Sequence, residues 1–220
     1  MTPPEFTPAL GRAGPTAAYD RTIRFWTREG RWRPMLVDQI DPQPGERILD
    51  VGCGTGSLAI LLKSREPRCE VVGLDPDAEA LVIARSKVIR LGLEIGFAQG
   101  FAREARDVCG TGFDKVVSSL LFHQVLPVEK RAGIKAMAAA ARAAGEIHIA
   151  DYAEQPDWFM RRLFGIVQRV DGYENTQANA DGALTHLLEE TFDGVMRAAV
   201  VRTPTGAITL FRARVRAGAS

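Results

Sequence analysis

The 220-residue sequence predicts an α/β fold, a doubly wound and mostly parallel seven-stranded sheet with helices on both faces and a C-terminal antiparallel hairpin. Three observations carry that prediction. Short apolar runs alternate with helix-period segments from residue 45 to about residue 150, the rhythm of strand–helix–strand crossovers. The first apolar run, Ile48-Leu49-Asp50-Val51, leads straight into Gly52-Cys53-Gly54-Thr55-Gly56 and then a helical stretch. The last two strand-like runs, 194–202 and 207–215, are joined only by Thr203-Pro204-Thr205-Gly206, a turn sequence.

Residues 1–16, rich in Pro, Thr and Gly, read as a flexible lead-in, and 17–40 as helix in two pieces broken near Gly30. Pro42-Gln43-Pro44-Gly45 is a turn. Strands at 47–51 and 70–74 flank a helix over 57–65, whose exit is marked by Pro67. The 77–91 segment sets Ala80, Leu81, Ala84, Val88 and Leu91 on one helical face. A third strand is expected at 93–98, a fourth at 113–119, an alanine-rich helix over 128–144 ending at Gly145, and a fifth strand at 146–150. After Asp151 the rhythm changes to helical pieces at 157–170 and 181–190 before the hairpin. One domain is expected over 17–218: N-terminal helices at 17–44, a core at 45–151, then helices and hairpin at 152–218.

The formal net charge of +1 gives no global field of the kind nucleic-acid binders show. Cys53, Cys69 and Cys109 are odd in number and lack a C-x-x-C pair, so neither a disulfide framework nor a metal site is indicated. A reducing, cytoplasmic setting is expected, since the N-terminus lacks the pattern of a secretory signal and no apolar run approaches the roughly 20 residues of a membrane span.

Open parallel sheets bind ligands beyond the carboxyl ends of their strands, where the strand order reverses. The first strand delivers Asp50 and the loop Gly52, Cys53, Gly54 and Gly56. Its glycines permit positive φ and close approach of a ligand, and the following helix offers free N–H groups to a carboxylate or phosphate. A dinucleotide fingerprint would need glycine where Ser57 stands, so the spacing turns from NAD toward another adenosine-bearing cofactor. The second strand ends in Asp75-Pro76-Asp77, an acid about 20 residues past the loop, placed to accept from ribose hydroxyls. The alternative is that Asp75 or Asp77 caps the next helix.

Leu49-Asp50-Val51-Gly52-Cys53-Gly54-Thr55-Gly56, then Val72-Gly73-Leu74-Asp75, then Phe113-Asp114-Lys115-Val116-Val117-Ser118-Ser119-Leu120-Leu121-Phe122-His123, resemble successive motifs of class I S-adenosylmethionine-dependent methyltransferases. The resemblance spans roughly residues 17 to 215. Tyr19-Asp20 with Gly30-Arg31-Trp32-Arg33, and the ending Gly206-Ala207-Ile208-Thr209-Leu210, are similar to the ubiquinone/menaquinone-biosynthesis type. The resemblance implies S-adenosyl-L-methionine as cofactor. Backbone N–H groups from Gly54 to Ser57 would meet its carboxylate, Asp50 and carbonyls near Gly52 and Ser118 its ammonium, and Asp75, beside Pro76, its ribose. The acid that family members place after strand three is replaced here by Phe101, in Gln99-Gly100-Phe101-Ala102. The Ala102 N–H, Gln99 or Glu104 can substitute, or Phe101 can pack on the purine; the competing reading is a core Phe101.

Methyl transfer from an activated sulfonium needs alignment and exclusion of water more than covalent help. His123, just past the fourth strand, is the candidate base or acceptor-orienting group, against the alternative of a packed loop histidine; Asp151 and Tyr152 are further candidates. Tyr19 can cover the sulfonium with its ring face or simply pack. Arg21, Arg24 and Arg28, near Phe25, Trp26 and Trp32, fit contact with an anionic membrane or acidic substrate, or equally a solvated face. Trp158, Phe159, Leu163, Phe164 and Val167 can wall an apolar acceptor pocket together with the N-terminal helices, or pack helix to sheet. No Tyr-x-x-x-Lys occurs, no Asn/Asp-Pro-Pro-aromatic motif follows strand four, and carboxylates do not follow both strands four and five. A small-molecule substrate is therefore expected, apolar or amphipathic and quinone-, lipid- or secondary-metabolite-like, with no nucleic-acid partner. The rival from a different class is a protein that binds the cofactor as a sensor without turnover.

Overall fold

The computed structural model describes residues 28–216. Tyr19, Arg21, Arg24, Phe25 and Trp26, and the expected lead-in, lie outside the described residues. The elements run α1 (Glu29–Ile40), β1 (Arg47–Val51), α2 (Ser57–Arg65), β2 (Glu70–Asp75), α3 (Ala78–Leu91), β3 (Gly96–Gln99), a short α4 (Ala105–Cys109), β4 (Phe113–Ser119), α5 (Pro127–Ala140), β5 (Ala141–Tyr152), α6 (Trp158–Asp171), α7 (Tyr173–Ala180), α8 (Ala183–Thr191), β6 (Asp193–Thr203) and β7 (Gly206–Arg214). Seven strands form one sheet in the order β3-β2-β1-β4-β5-β7-β6. The first five are parallel, and β7 runs antiparallel between β5 and β6. The chain winds outward from β1 to β3 and resumes on the other side with β4, so the reversal falls between β1 and β4.

Strand period two divides the core between the two faces. Leu49, Val51, Val116, Ile147 and Ile149 point to one layer, with Met137 of α5 and Leu184 of α8. Ile48, Val117 and Ala150 point to the other, where Trp32 and Leu36 of α1 meet Leu58 and Leu62 of α2 and Phe164 of α6. Each large apolar side chain buried this way stabilises the fold by about 1.5–3 kcal/mol. Asp50 lies two residues beyond Ile48, so the same alternation carries a carboxylate into the α1–α2 layer. No helix among the described residues is long and apolar enough to cross a membrane.

The structure corrects several boundaries. Helix α1 begins at Glu29, directly after Arg28 in the left-handed region at φ 49°, and the first of the two helical pieces expected over 17–40 lies outside the described residues. The third strand starts at Gly96, after Gly92 has closed α3 at φ 63°. Helix α5 stops at Ala140, and the alanines expected to continue it enter β5. Ala144 takes φ 57°, and a Cβ on Gly145 would lie 2.9 Å from the Arg142 carbonyl and 3.2 Å from that of Asp114. Strand pairing here overrides the helical preference of alanine. Helix α7 was not expected from its polar sequence; it forms by burying Thr176 and Asn179.

Candidate functional site

Where β1 ends, Gly52 and Cys53 both donate backbone N–H bonds to the Leu74 carbonyl, at 2.8 and 3.0 Å, tying the loop to β2. Gly52, Gly54 and Gly56 adopt φ of 73°, 51° and 78°, as their spacing predicts. The three differ in surroundings. A Cβ on Gly52 would stand 2.9 Å from Leu121, one on Gly56 would stand 3.1 Å from Ala84, and one on Gly54 would meet nothing within 4 Å. The loop thus presents open space over Gly54, directly before α2. Lys87 of α3 braces the loop from outside, donating to the Thr55 hydroxyl at 2.7 Å. Cys53 is buried against the loop, and burial beside Asp50 and Asp75 pushes its thiol well above the usual range.

The two aspartates after β2 have different work. Asp77 is the N-cap of α3, accepting from the N–H groups of Glu79 and Ala80 at 2.9 and 3.2 Å. Asp75 caps nothing. Its Oδ2 accepts from Gly54 N–H at 2.7 Å and its Oδ1 from Asp77 N–H at 2.9 Å, so it joins the glycine loop to the turn after β2. Burial holds its carboxyl above the ordinary range. Each oxygen retains acceptor capacity for a hydroxyl. Gln99 donates to the Pro76 carbonyl at 3.1 Å, fixing the adjoining turn.

Asp50 is fully buried, and neither carboxylate oxygen makes a hydrogen bond of normal geometry among the described residues. Burial pushes it up to about 7; the Arg33 guanidinium pulls the other way, Asp75 adds to the rise, and the nearby Ala59 amide opposes it. Ser118, also fully buried, donates its hydroxyl to the Val51 carbonyl at 2.8 Å and so pins β4 to the end of β1. Phe101 is half-buried, which sets aside the core reading. Its N–H donates to Glu104 at 2.8 Å, and Arg103 stacks 4.3 Å from its ring centre. Ala102 follows as the first residue of a single 3-10 turn, at the rim formed by the ends of β2 and β3.

Beyond β4 and β5 lies a buried polar cluster that the sequence showed only in part. His123 is 3% exposed; its Nδ1 lies 2.7 Å from Asp151 and its Nε2 3.5 Å from Asp171 at the end of α6. Burial alone would lower its pKa, but the two carboxylates hold it up at about 9. Carboxylates at both ring nitrogens favour the imidazolium, which donates hydrogen bonds at both nitrogens and suits an orienting group better than a base. Asp151 also accepts from the N–H groups of Phe122 and Tyr152, at 2.6 and 2.7 Å. Tyr152 packs edge-on against His123 and bonds Thr205 across the sheet, 2.5 Å between oxygens. Lys130 of α5, fully buried, donates to the Phe122 carbonyl and, at 3.0 Å, to that of Asn175 in α7; burial lowers it to about 8. Nothing in the sequence around Lys130 distinguishes it from a solvated charge. Phe164 and Val167 pack into the core while Trp158 and Phe159 are exposed, so the expected wall of α6 is divided between two faces.

Residues 48–145 match the family model described as a methyltransferase domain. Over 140 residues the chain is 35% identical to demethylmenaquinone methyltransferase of Thermus thermophilus, covering 64% of this chain and 60% of that relative. Over 151 residues it is 32% identical to ribosomal RNA small subunit methyltransferase C of Stutzerimonas stutzeri, covering 67% of this chain and 43% of that one. The chain therefore spans less than two thirds of the length of either relative. Its fold superposes on the apo form of the S-adenosylmethionine-dependent methyltransferase SibL with a TM-score of 0.71 at 19% identity, covering 94% of this chain and 61% of that one. In motif order and fold the chain is similar to class I S-adenosylmethionine-dependent methyltransferases, with a weaker likeness to the quinone-biosynthesis type, and its residues 48–145 are those that match a methyltransferase domain.

Proposed function

We propose that this chain transfers the methyl group of S-adenosyl-L-methionine to an apolar or amphipathic small molecule, quinone-, lipid- or secondary-metabolite-like, by direct in-line displacement. One observation supports the cofactor half above all. At the reversal of strand order, an open loop over Gly54, a buried Asp50 with no hydrogen bond of normal geometry among the described residues and an Asp75 with acceptor capacity lie on one rim. A zwitterion and a ribose are the chemistry such a rim suits. The cofactor brings a sulfonium methyl group that is already activated. The residues of this chain then have to bind, orient and exclude water. Asp75 would hold the ribose, the loop N–H groups and Asp50 the amino-acid end, and Phe101 and Ala102 the edge of the adenine. His123 enters as a positioning residue: clamped between Asp151 and Asp171 it fastens α6 over the ends of β4 and β5. The N-terminal segment to residue 44 would supply part of the cap over the acceptor and the helices after β5 the rest.

The small-molecule half draws on the apolar Leu120-Leu121-Phe122 after β4 and on the demethylmenaquinone relative. Burial raises all three thiols, which disfavours a cysteine-nucleophile route to RNA. The test is titration calorimetry with S-adenosylmethionine, S-adenosylhomocysteine and NAD, then transfer of labelled methyl from the cofactor to quinone and lipid extracts and, in parallel, to ribosomal RNA. Label in the organic extract is the expected result. Label in RNA overturns the acceptor class, binding of NAD alone overturns the cofactor, and tight S-adenosylhomocysteine binding without any transfer favours the sensor.

A further inference from the structure

Helix α6 is apolar on two faces. Met160, Phe164 and Val167 are buried, the last two in the layer that holds Ile208 and Leu210 of β7. The Asp157 cap at one end and the contact of Asp171 with His123 at the other keep the helix in that orientation. The outward face carries Trp158 and Val170, 77% and 71% exposed, with Phe159 and Ile166 at 48% and 42%. At 3.6 residues per turn these four and the exposed Arg162 and Arg169 fall within an arc of about 120°. The two aromatic rings pack edge-on, 5.8 Å between centres, and form one apolar block. Charge on this face has one sign. Residues 158–170 contain no aspartate or glutamate. Arg161, on the flank, bonds the Ala180 carbonyl and Asp181, at 2.6 and 2.9 Å. The guanidinium groups of Arg162 and Arg169 have no ion pair or hydrogen bond among the described residues. Elsewhere on the surface Arg142, Arg197 and Arg216 are matched by carboxylates.

Single exposed apolar residues are ordinary, whereas a contiguous apolar patch marks a contact. We infer that the outer face of α6 docks the protein on an anionic lipid surface, its aromatic and aliphatic side chains among the upper acyl chains and its arginines at the headgroup phosphates. Charge complementarity selects this occupant. An apolar protein surface would match Trp158 and Val170 but leave two guanidinium groups desolvated without carboxylates. A nucleic acid would match the guanidinium groups but not the aliphatic Ile166 and Val170. The helix lies in the interface rather than across it, since no helix among the described residues is long and apolar enough to span. It begins just after β5 and ends against His123, just past β4, so the docking face adjoins the end of the sheet where the candidate site opens. Docking requires neither cofactor nor acceptor and stands or falls apart from the function proposed above.

The test is flotation of the full chain with vesicles of phosphatidylcholine alone and of equimolar phosphatidylcholine and phosphatidylglycerol. Wild type is expected to float with the anionic vesicles only, and to leave them as salt is raised. Arg162→Gln with Arg169→Gln should weaken that binding about 30-fold, the loss of two cations at such a surface. Trp158→Ser with Phe159→Ser should weaken it by at least about tenfold, through lost apolar burial. Arg90→Gln with Arg106→Gln removes the same charge from exposed positions on α3 and α4 and should stay within about threefold of wild type. All six side chains are exposed, so thermal melts should be unchanged. A wild-type chain that floats with neither vesicle, or with both equally, overturns the inference. So do α6 variants that float like wild type, and a control pair that loses as much as the arginine pair. A wild-type dimer by light scattering that ignores vesicles and becomes a monomer in Trp158→Ser with Phe159→Ser would assign the face to a second copy instead.

Discussion

Replacing Asp75 and Asp77 separately isolates the ribose contact from the helix cap that adjoins it. Asp77→Ala removes two N-cap bonds, of 2.9 and 3.2 Å, which costs about 1 kcal/mol of stability. Its effect on cofactor affinity is indirect and should stay within about threefold, since a cap acts on the helix end. Asp75→Ala removes acceptors from two N–H groups, at 2.7 and 2.9 Å, at about 1–3 kcal/mol each where the donors stay unsatisfied. Part of that loss is offset, because burial already holds the Asp75 carboxyl above its ordinary range and the substitution removes a costly buried charge. Stability therefore falls in both variants, and in Asp75→Ala by at least as much. Affinity separates them further. Two hydrogen bonds from ribose hydroxyls to a carboxylate, at about 1.5 kcal/mol each, sum to about 3 kcal/mol, or roughly 150-fold in Kd. Thermal melts give the stability comparison and calorimetry with S-adenosylhomocysteine gives the affinity. Equal affinity losses, or a larger one in Asp77→Ala, would refute the ribose assignment.

The clamp on His123 predicts a pH dependence of stability. Its folded pKa, about 9, lies above the ordinary 6.5, so its stabilising contribution is complete below pH 6.5 and is lost as pH rises through about 9. The gap in unfolding free energy between wild type and His123→Gln should accordingly narrow from pH 6 to pH 9.5 in urea melts, and a constant gap would disprove the clamp. Lys130, lowered from 10.5 to about 8, titrates in both proteins and cancels in the difference to first order. The glycine loop predicts a contrast. Gly54→Ala should cost only about 1–2 kcal/mol for a left-handed alanine, because its Cβ meets nothing within 4 Å. It should nonetheless weaken S-adenosylhomocysteine clearly, and wild-type affinity would mean that the ligand does not approach that carbon. Gly52→Ala adds a 2.9 Å approach to Leu121 and should be the less stable of the two in thermal melts.

The parts of this fold legible in the sequence are those governed by local chemistry. The fourth strand is found at its predicted limits, Phe113–Ser119, because β-branched and apolar residues lie between a glycine turn and the leucines that follow. The start of α3 is equally plain, since aspartate is a good cap and Asp77 stands directly before the apolar stripe. Local chemistry misled at residues 141–144. Four residues rich in alanine favour helix, but Ala141 pairs with Phe113 of β4 and Ala144 turns left-handed before Glu146 takes up the ladder with β4 and β7, and no signal of that pairing lies in the segment itself. The hairpin was visible, whereas the insertion of its second strand beside β5 depends on which edge the sheet leaves open.

The site divides along the same line. Gly52, Gly54, Gly56 and Asp75 could be named because each occupies a fixed place relative to a strand end, and backbone geometry imposes the residue type. Lys130 and the clamp on His123 could not, because their roles follow from burial, and burial is set by packing among elements far apart in sequence. Lys130 reaches α7 across 45 residues, and His123 meets Asp171 across the end of the sheet. Each of these charges joins the parallel core to the helices after β5. The switch point is built by the parallel core, so charges that fasten the flanking segments to it bear on how the open side of the candidate site is closed.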